Sequence, residues 1–185
     1  MGMPDPVRRW TRAEVLALPD DGNRYELFDG ELLVTPAPSG LHQVALAKLL
    51  SALAPYVTAH GPGQTLWSPA DLDLGGDQLS QPDLFVVPFL PPDRDWRRFP
   101  NPILIVEALS PSTARADRTV KRRRFQQVGI PEYWIVDHDA RAIERWRPSD
   151  TRPEFLDERL VWHPEGAPLA LELELPGLFR EIWGN

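Results

Sequence analysis

Apolar positions along this chain follow two periods, and together they sketch a fold before any chemistry is considered. Thr11-Arg12-Ala13-Glu14 has the form of a capping box and opens a short helix that Pro19-Asp20-Asp21-Gly22 stops. Two strand-like runs, residues 24–28 and 31–35, flank Asp29-Gly30, a pair suited to a type I′ turn, so a β-hairpin is predicted there. Alternation puts Glu26 on the opposite face from Tyr25 and Leu27. Residues 41–57 form a long helix, apolar on much of its surface, which predicts packing against a sheet. Residues 65–67 and 70–74 read as one strand or a broken pair, followed by a strand at 83–87. A proline-punctuated loop then spans residues 88–102.

The second half has a stronger pattern. Residues 103–106 are continuously aliphatic, as in a central strand covered on both faces. Ser110-Pro111-Ser112-Thr113 caps a helix reaching about Val128, with Gly129 at its end and Pro131 beyond. Residues 133–136 are another buried strand, and residues 142–146, 155–162 and 169–175 are further candidates before an amphipathic tail at 178–183. From residue 41 the order is helix, strand, strand, strand, helix, strand. This predicts an α/β (α+β) domain with a mixed central sheet and flanking helices, preceded by the hairpin and followed by C-terminal strands.

Composition narrows the class. At 185 residues, 42% hydrophobic and 25% charged, residues 1–185 read as a single globular domain with its core at about residues 24–147. No apolar run approaches the ~20 residues of a membrane span. The first ten residues lack the apolar stretch of a signal peptide, and Asp5 and Pro6 do not fit a myristoylation signal. There is no cysteine, hence no disulfide framework or thiolate zinc site, and a cytoplasmic setting is expected. The formal charge of −7 argues against coating nucleic acid by bulk electrostatics, though not against a local basic face.

Only Lys48 and Lys121 stand among the 20 basic residues; the rest are arginine. Lysine persists in such a chain where a compact amine of adjustable pKa is needed, and Lys121 is the stronger candidate. Lys48, on a mostly apolar helix, reads as a snorkelling edge residue.

The candidate chemistry lies between Pro82 and Val136. Asp83 follows a proline at a strand start and reads either as a solvent-facing acid or as a ligand. Glu107 follows four aliphatic residues in a covered strand, where a carboxylate needs a cation, either an arginine or a metal. Asp83 and Glu107 on neighbouring strands, with the backbone carbonyl of Ala108, make an oxygen donor set for Mg²⁺, and Mn²⁺ is expected to substitute. A metal there would polarise a phosphate, and Lys121 would position water or stabilise developing charge. Asp117, Lys121 and Arg124 fall at i, i+4 and i+7, and Arg115, Arg118 and Arg122 form an adjacent basic ridge suited to phosphates or simply to solvent.

Several short motifs occur together in one order: Arg24-Tyr25-Glu26-Leu27-Phe28-Asp29-Gly30-Glu31, His42, Pro82-Asp83-Leu84, Val106-Glu107-Ala108-Leu109-Ser110-Pro111-Ser112-Thr113, Asp117 with Lys121, and Gly129-Ile130-Pro131-Glu132-Tyr133-Trp134-Ile135-Val136-Asp137. Across roughly residues 11–147 this combination resembles the Uma-two family, also called domain of unknown function 820, of the PD-(D/E)XK nuclease superfamily. The resemblance implies a restriction-endonuclease-like core, Mg²⁺ and hydrolysis of DNA phosphodiester bonds. On the matching positions Asp83 and Glu107 would be metal ligands, Lys121 the catalytic lysine and Glu26 an additional acid, with Glu31 and His42 as further candidates. The chain departs from the superfamily pattern at Leu109, where lysine would stand two residues after the glutamate. The competing reading is a catalytically idle nuclease-fold module that binds DNA or a protein partner. Cleavage of both strands of a duplex would favour a homodimer.

Overall fold

The computed structural model describes residues 8–61, 63–95 and 98–184. The readings made on Met1–Val7, and the parts of loops at Pro62, Trp96 and Arg97, lie outside the described residues. The elements in order are α1 (Arg12–Leu16), β1 (Arg24–Phe28), β2 (Glu31–Thr35), α2 (Gly40–His60), β3 (Gln64–Trp67), β4 (Leu84–Val87) and β5 (Leu104–Ala108). There follow α3 (Ala114–Ala116), a π-helical turn (Asp117–Lys121) and α4 (Arg122–Gln127). The chain ends with β6 (Glu132–Asp137), β7 (Ala142–Trp146), β8 (Glu154–Leu156), β9 (Arg159–Trp162), β10 (Leu171–Glu174) and α5 (Leu175–Trp183).

Six strands form a mixed sheet in the order β3-β4-β5-β6-β7-β8. Only the central pair β5–β6 is parallel, and the helical segment α3 to α4 makes the crossover that parallel pairing requires. Alternation along the central strands divides the core in two. Leu84, Val86, Leu104, Val106, Trp134 and Val136 join the layer built by α2 and α5, whereas Phe85, Ile105, Tyr133 and Ile135 join Phe28 and Phe125 on the other face. Continuous aliphatic runs are therefore what these strands need, since neither face meets water.

The flanking pieces refine the expectation. The hairpin β1–β2 is a separate two-stranded sheet, turned by Asp29 and Gly30 at φ 50° and 82° and tied to the core by paired backbone hydrogen bonds between Leu27 and Leu79. Residues 155–162 do not make one strand: they split into β8, on the edge of the central sheet, and β9, which pairs with β10 elsewhere. The long helix α2 is capped by Ser39, whose side chain accepts from the His42 N–H, and it ends on the left-handed Gly61. Lys48 reaches Glu181 of α5 at 2.9 Å as an exposed pair. Among the described residues no helix is long and apolar enough to cross a membrane.

Phe125 fixes the crossover helix over the sheet. Its ring meets Tyr133 and Phe28 edge-on, with centroids 4.9 and 6.1 Å away. Phe125→Ala should therefore cost about 3–5 kcal/mol in urea unfolding, whereas Phe155→Ala, at a 58% exposed ring on edge strand β8, should stay within about 0.5 kcal/mol.

Candidate functional site

The site is assembled first by the register of β4 and β5. Leu84 pairs with Val106 in an antiparallel ladder, so one step further along the ladder Asp83 faces Glu107. Both residues share the parity of Phe85 and Ile105 and so belong to the sheet face covered by α4 and the hairpin. Asp83 is held there closely. The Ala108 N–H donates to its Oδ2 at 2.9 Å, Arg24 Nη1 donates to its Oδ1 at 2.6 Å, and His42 Nε2 stands 3.3 Å from Oδ2.

The π-helical turn supplies the second layer. An inserted residue in a helix re-aims side chains relative to the preceding turn, and such turns are frequent at functional sites. Here Asp117 and Lys121, both 1% exposed, point together into the core. The Lys121 ammonium lies 2.8 Å from Glu107 Oε1, 2.8 Å from Glu26 Oε2 and 3.3 Å from Asp117 Oδ1. Three carboxylates from a hairpin, a central strand and the crossover helix thus converge on one amine.

Glu26 is oriented from its other oxygen, which accepts from Ser80 Oγ and from the Gln81 N–H, each at 3.0 Å. Arg24, two residues earlier on the same hairpin strand and therefore on the same face, bridges the halves of the cluster. Besides Asp83 it donates to the Gln81 carbonyl at 3.0 Å and lies 3.8 Å from Glu26.

Charge counting shows what this arrangement demands. Glu26, Asp83, Glu107 and Asp117 bring four carboxylates against the fixed cations Lys121 and Arg24, and all four carboxylates are buried. Burial pushes the Glu107 carboxyl well above its ordinary value of 4.5; Lys121 pulls it back, while Asp83 and Asp117 push it further. Asp117 is raised from 3.8 by burial and by Glu26 and Asp83, against the pull of Lys121. Asp83 differs: burial would raise it, but the His42 hydrogen bond and the charges of Arg24, His42 and Lys121 hold it well below the usual carboxylate range. Lys121 is held in its charged form, since Glu107, Glu26 and Asp117 outweigh the cost of its burial. With all four carboxylates ionised the cluster would exceed its two cations by two negative charges, and the raised Glu107 and Asp117 show burial opposing that state.

Among the described residues, no three His, Asp or Glu side chains stand as a ready cage for a metal ion. The ammonium of Lys121 occupies the centre of the acids. The donor set nonetheless suits Mg²⁺, which takes oxygen ligands and needs only one or two carboxylates beside water and phosphate. Asp83, Glu107 and the Ala108 carbonyl are the oxygens that would hold it, with both Asp83 oxygens engaged here by Arg24, the Ala108 N–H and His42, and Glu107 Oε1 engaged by Lys121.

Asp83, Glu107, Lys121 and Glu26 are thus brought into one cluster, with His42 on its rim. Glu31 is exposed at the turn end of the hairpin. Two members of the basic ridge are engaged within the protein. Arg118 is paired with Asp137 at 2.9 Å and Glu144 at 2.6 Å, and Arg122 lies over the Trp146 ring and donates to Gln126, while Arg115 is exposed. Arg24 and the full burial of Asp117 were not anticipated. The signal for Arg24 was its period-2 relation to Glu26; for Asp117 it was the spacing to Lys121.

A family model for Uma2, described as "Putative restriction endonuclease", matches residues 12–182. Among solved structures, the fold is similar to a crystal structure described as a "putative nuclease belonging to DUF820" from Anabaena variabilis ATCC 29413. The TM-score is 0.75 at 23% identity over 94% of this chain and 99% of that one. No curated protein matches the chain.

Two substitutions probe the cluster without a metal. Lys121→Met strands buried carboxylates and should cost about 3–5 kcal/mol near neutral pH. Glu107 and Asp117, with raised folded values, contribute stability that is complete below their unfolded values and lost as pH rises through the folded ones. The Lys121→Met deficit should therefore shrink as pH falls from neutral toward the ordinary carboxylate range, as protons replace the missing amine. Glu107→Gln relieves the crowding of buried acids and should raise metal-free stability at neutral pH. Both are read from urea unfolding across pH.

Proposed function

Since the chain belongs to the Uma2 family, we propose that it is a Mg²⁺-dependent endonuclease that hydrolyses DNA phosphodiester bonds. The observation carrying this reading is the Lys121 ammonium, 2.8 Å from both Glu107 and Glu26, on the sheet face that Asp83 shares. A buried amine costs far less as an aliphatic side chain in a purely structural core, so its retention among acids favours chemistry.

Mg²⁺, held by Asp83, Glu107 and the Ala108 carbonyl, would supply Lewis-acid polarisation of the phosphoryl group and an acidified water. The residues of the chain do the rest. Arg24 and the Ala108 N–H fix both oxygens of Asp83, so the carboxylate is preorganised and ionised. Glu26 and Asp117 keep Lys121 protonated and aimed at Glu107. A fixed ammonium at that point stabilises the negative charge that develops on the phosphorus oxygens. His42, 3.3 Å from Asp83 and within reach of solvent, is a rim group that orients Asp83.

The competing reading, an idle nuclease-fold module, draws support from the same burial, because Glu107 and Lys121 are each 1% exposed. Plasmid nicking separates the two. The wild-type chain should nick supercoiled DNA with Mg²⁺ or Mn²⁺ and not with chelator, and Asp83→Ala or Lys121→Ala should lower the rate by about 100-fold or more. Nicking that survives either substitution would remove the assigned site; no nicking by a correctly folded wild type would leave the idle module.

A further inference from the structure

A cavity of about 840 Å³ opens on Asp83, between the N-terminal half of α2 and the end of the central sheet. Its size is that of a site for a small organic group rather than for a whole duplex. Arg24, His42 and Asp83 line it on the side of the acidic cluster, and Trp67 lines it from edge strand β3. Trp67 is the cross-strand partner of Leu84, and the next residue, Ser68, donates its N–H to the Asp83 carbonyl at 3.1 Å. The indole shares the sheet face of Leu84, opposite the Asp83 carboxylate, and the two side chains come together as walls of the one cavity at the end of the strands. Although Leu84 beside it is wholly buried, Trp67 is 55% exposed, leaving an aromatic plane open to the cavity. Leu46 and Leu50 supply apolar wall from α2, and Gln43 supplies an amide suited to a base edge, whereas the Gln81 amide donates to Asp71 at 2.7 Å.

The electrostatics point the same way. Tight duplex binding comes from neutralising many phosphates. The arginines that would do so are partly spent, with Arg118 in ion pairs and Arg122 over Trp146. Within the cavity, Arg24 is tied to Asp83, and Asp20 and Asp139 add further negative charge. Single-strand binders supplement backbone charge with bases stacked upon exposed aromatic rings, which a paired base cannot reach. Resting on the nuclease reading above, we propose that the substrate is single-stranded DNA, with an unpaired base stacked on Trp67 and the adjoining phosphate directed to Asp83. A paired base would first have to be taken out of its stack to reach this position.

Fluorescence anisotropy with a labelled single-stranded oligodeoxynucleotide, and with its blunt duplex, tests this on the full chain with chelator and again with Ca²⁺. The single strand should bind roughly tenfold tighter than the duplex, Trp67→Ala should erase that preference, and Trp67→Phe should keep most of it. Equal affinity for the two forms, failure to bind either, or a single-strand affinity indifferent to Trp67→Ala would overturn the proposal. Thermal melting of both variants should match the wild type, because the ring is exposed. The two readings fail separately: Trp67-dependent single-strand binding without nicking under Mg²⁺ would sink the nuclease and keep the base site. Nicking without Trp67-dependent binding would do the reverse.

Discussion

Everything about this fold that bears on function depends on burying one ammonium among three carboxylates. Lys121 is 1% exposed, and an unpaired charge in that position would cost several kcal/mol. Its partners must therefore arrive from three parts of the chain that are distant in sequence. Glu26 comes from the hairpin, Glu107 from the central strand and Asp117 from the crossover helix. The hairpin does not extend the central sheet and has no ladder with it, so its placement relies on the Leu27–Leu79 bonds, the Phe28–Phe125 contact and this ionic cluster. Structure and site are coupled at that point.

The coupling also explains why the cluster is not optimised for stability. A core designed only to persist would match its acids and bases one for one, or use aliphatic residues. Here Glu107 and Asp117 are driven up by burial and by each other's neighbours, a cost that folding must offset elsewhere. The two aliphatic layers and the aromatic group around Phe125 provide that offset. Acids crowded in a rigid frame meet either by taking up protons or by sharing a cation, and Lys121 is the cation this cluster holds.

The order of elements was readable because its signals are local. Short aliphatic runs rich in Val and Ile between turn signals fit strands covered on both faces, and Asp29-Gly30 can turn the chain where few other pairs can. Asp83 and Glu107 were legible for a related reason, since an acid at or within such a run conflicts with its surroundings. The split of β8 from β9 was not legible, because either half of residues 155–162 suits a strand and only tertiary pairing separates them. The role of Arg118 and Arg122 was hidden likewise. Helical spacing groups them as a ridge, but their partners Glu144, Asp137 and Trp146 lie on another element, β7, or at the end of β6. No feature of the sequence announces the π-helical turn.

That turn bears on the departure at position 109. A lysine two residues after Glu107 would share its side of the strand, which is the side facing α4 and the hairpin. Leu109 instead fills the aromatic layer with Phe125 and Tyr133, at 6% exposure. The amine must then come from above the sheet. The π-helical geometry brings Asp117 and Lys121 together at the core face, whereas Arg118 between them points to β7. Asp117 thereby becomes the local counter-charge that lets the amine be carried on a helix at all. The positive charge reaches Glu107 by a different route through the chain, and the aliphatic core gains a leucine that the strand-borne arrangement would exclude.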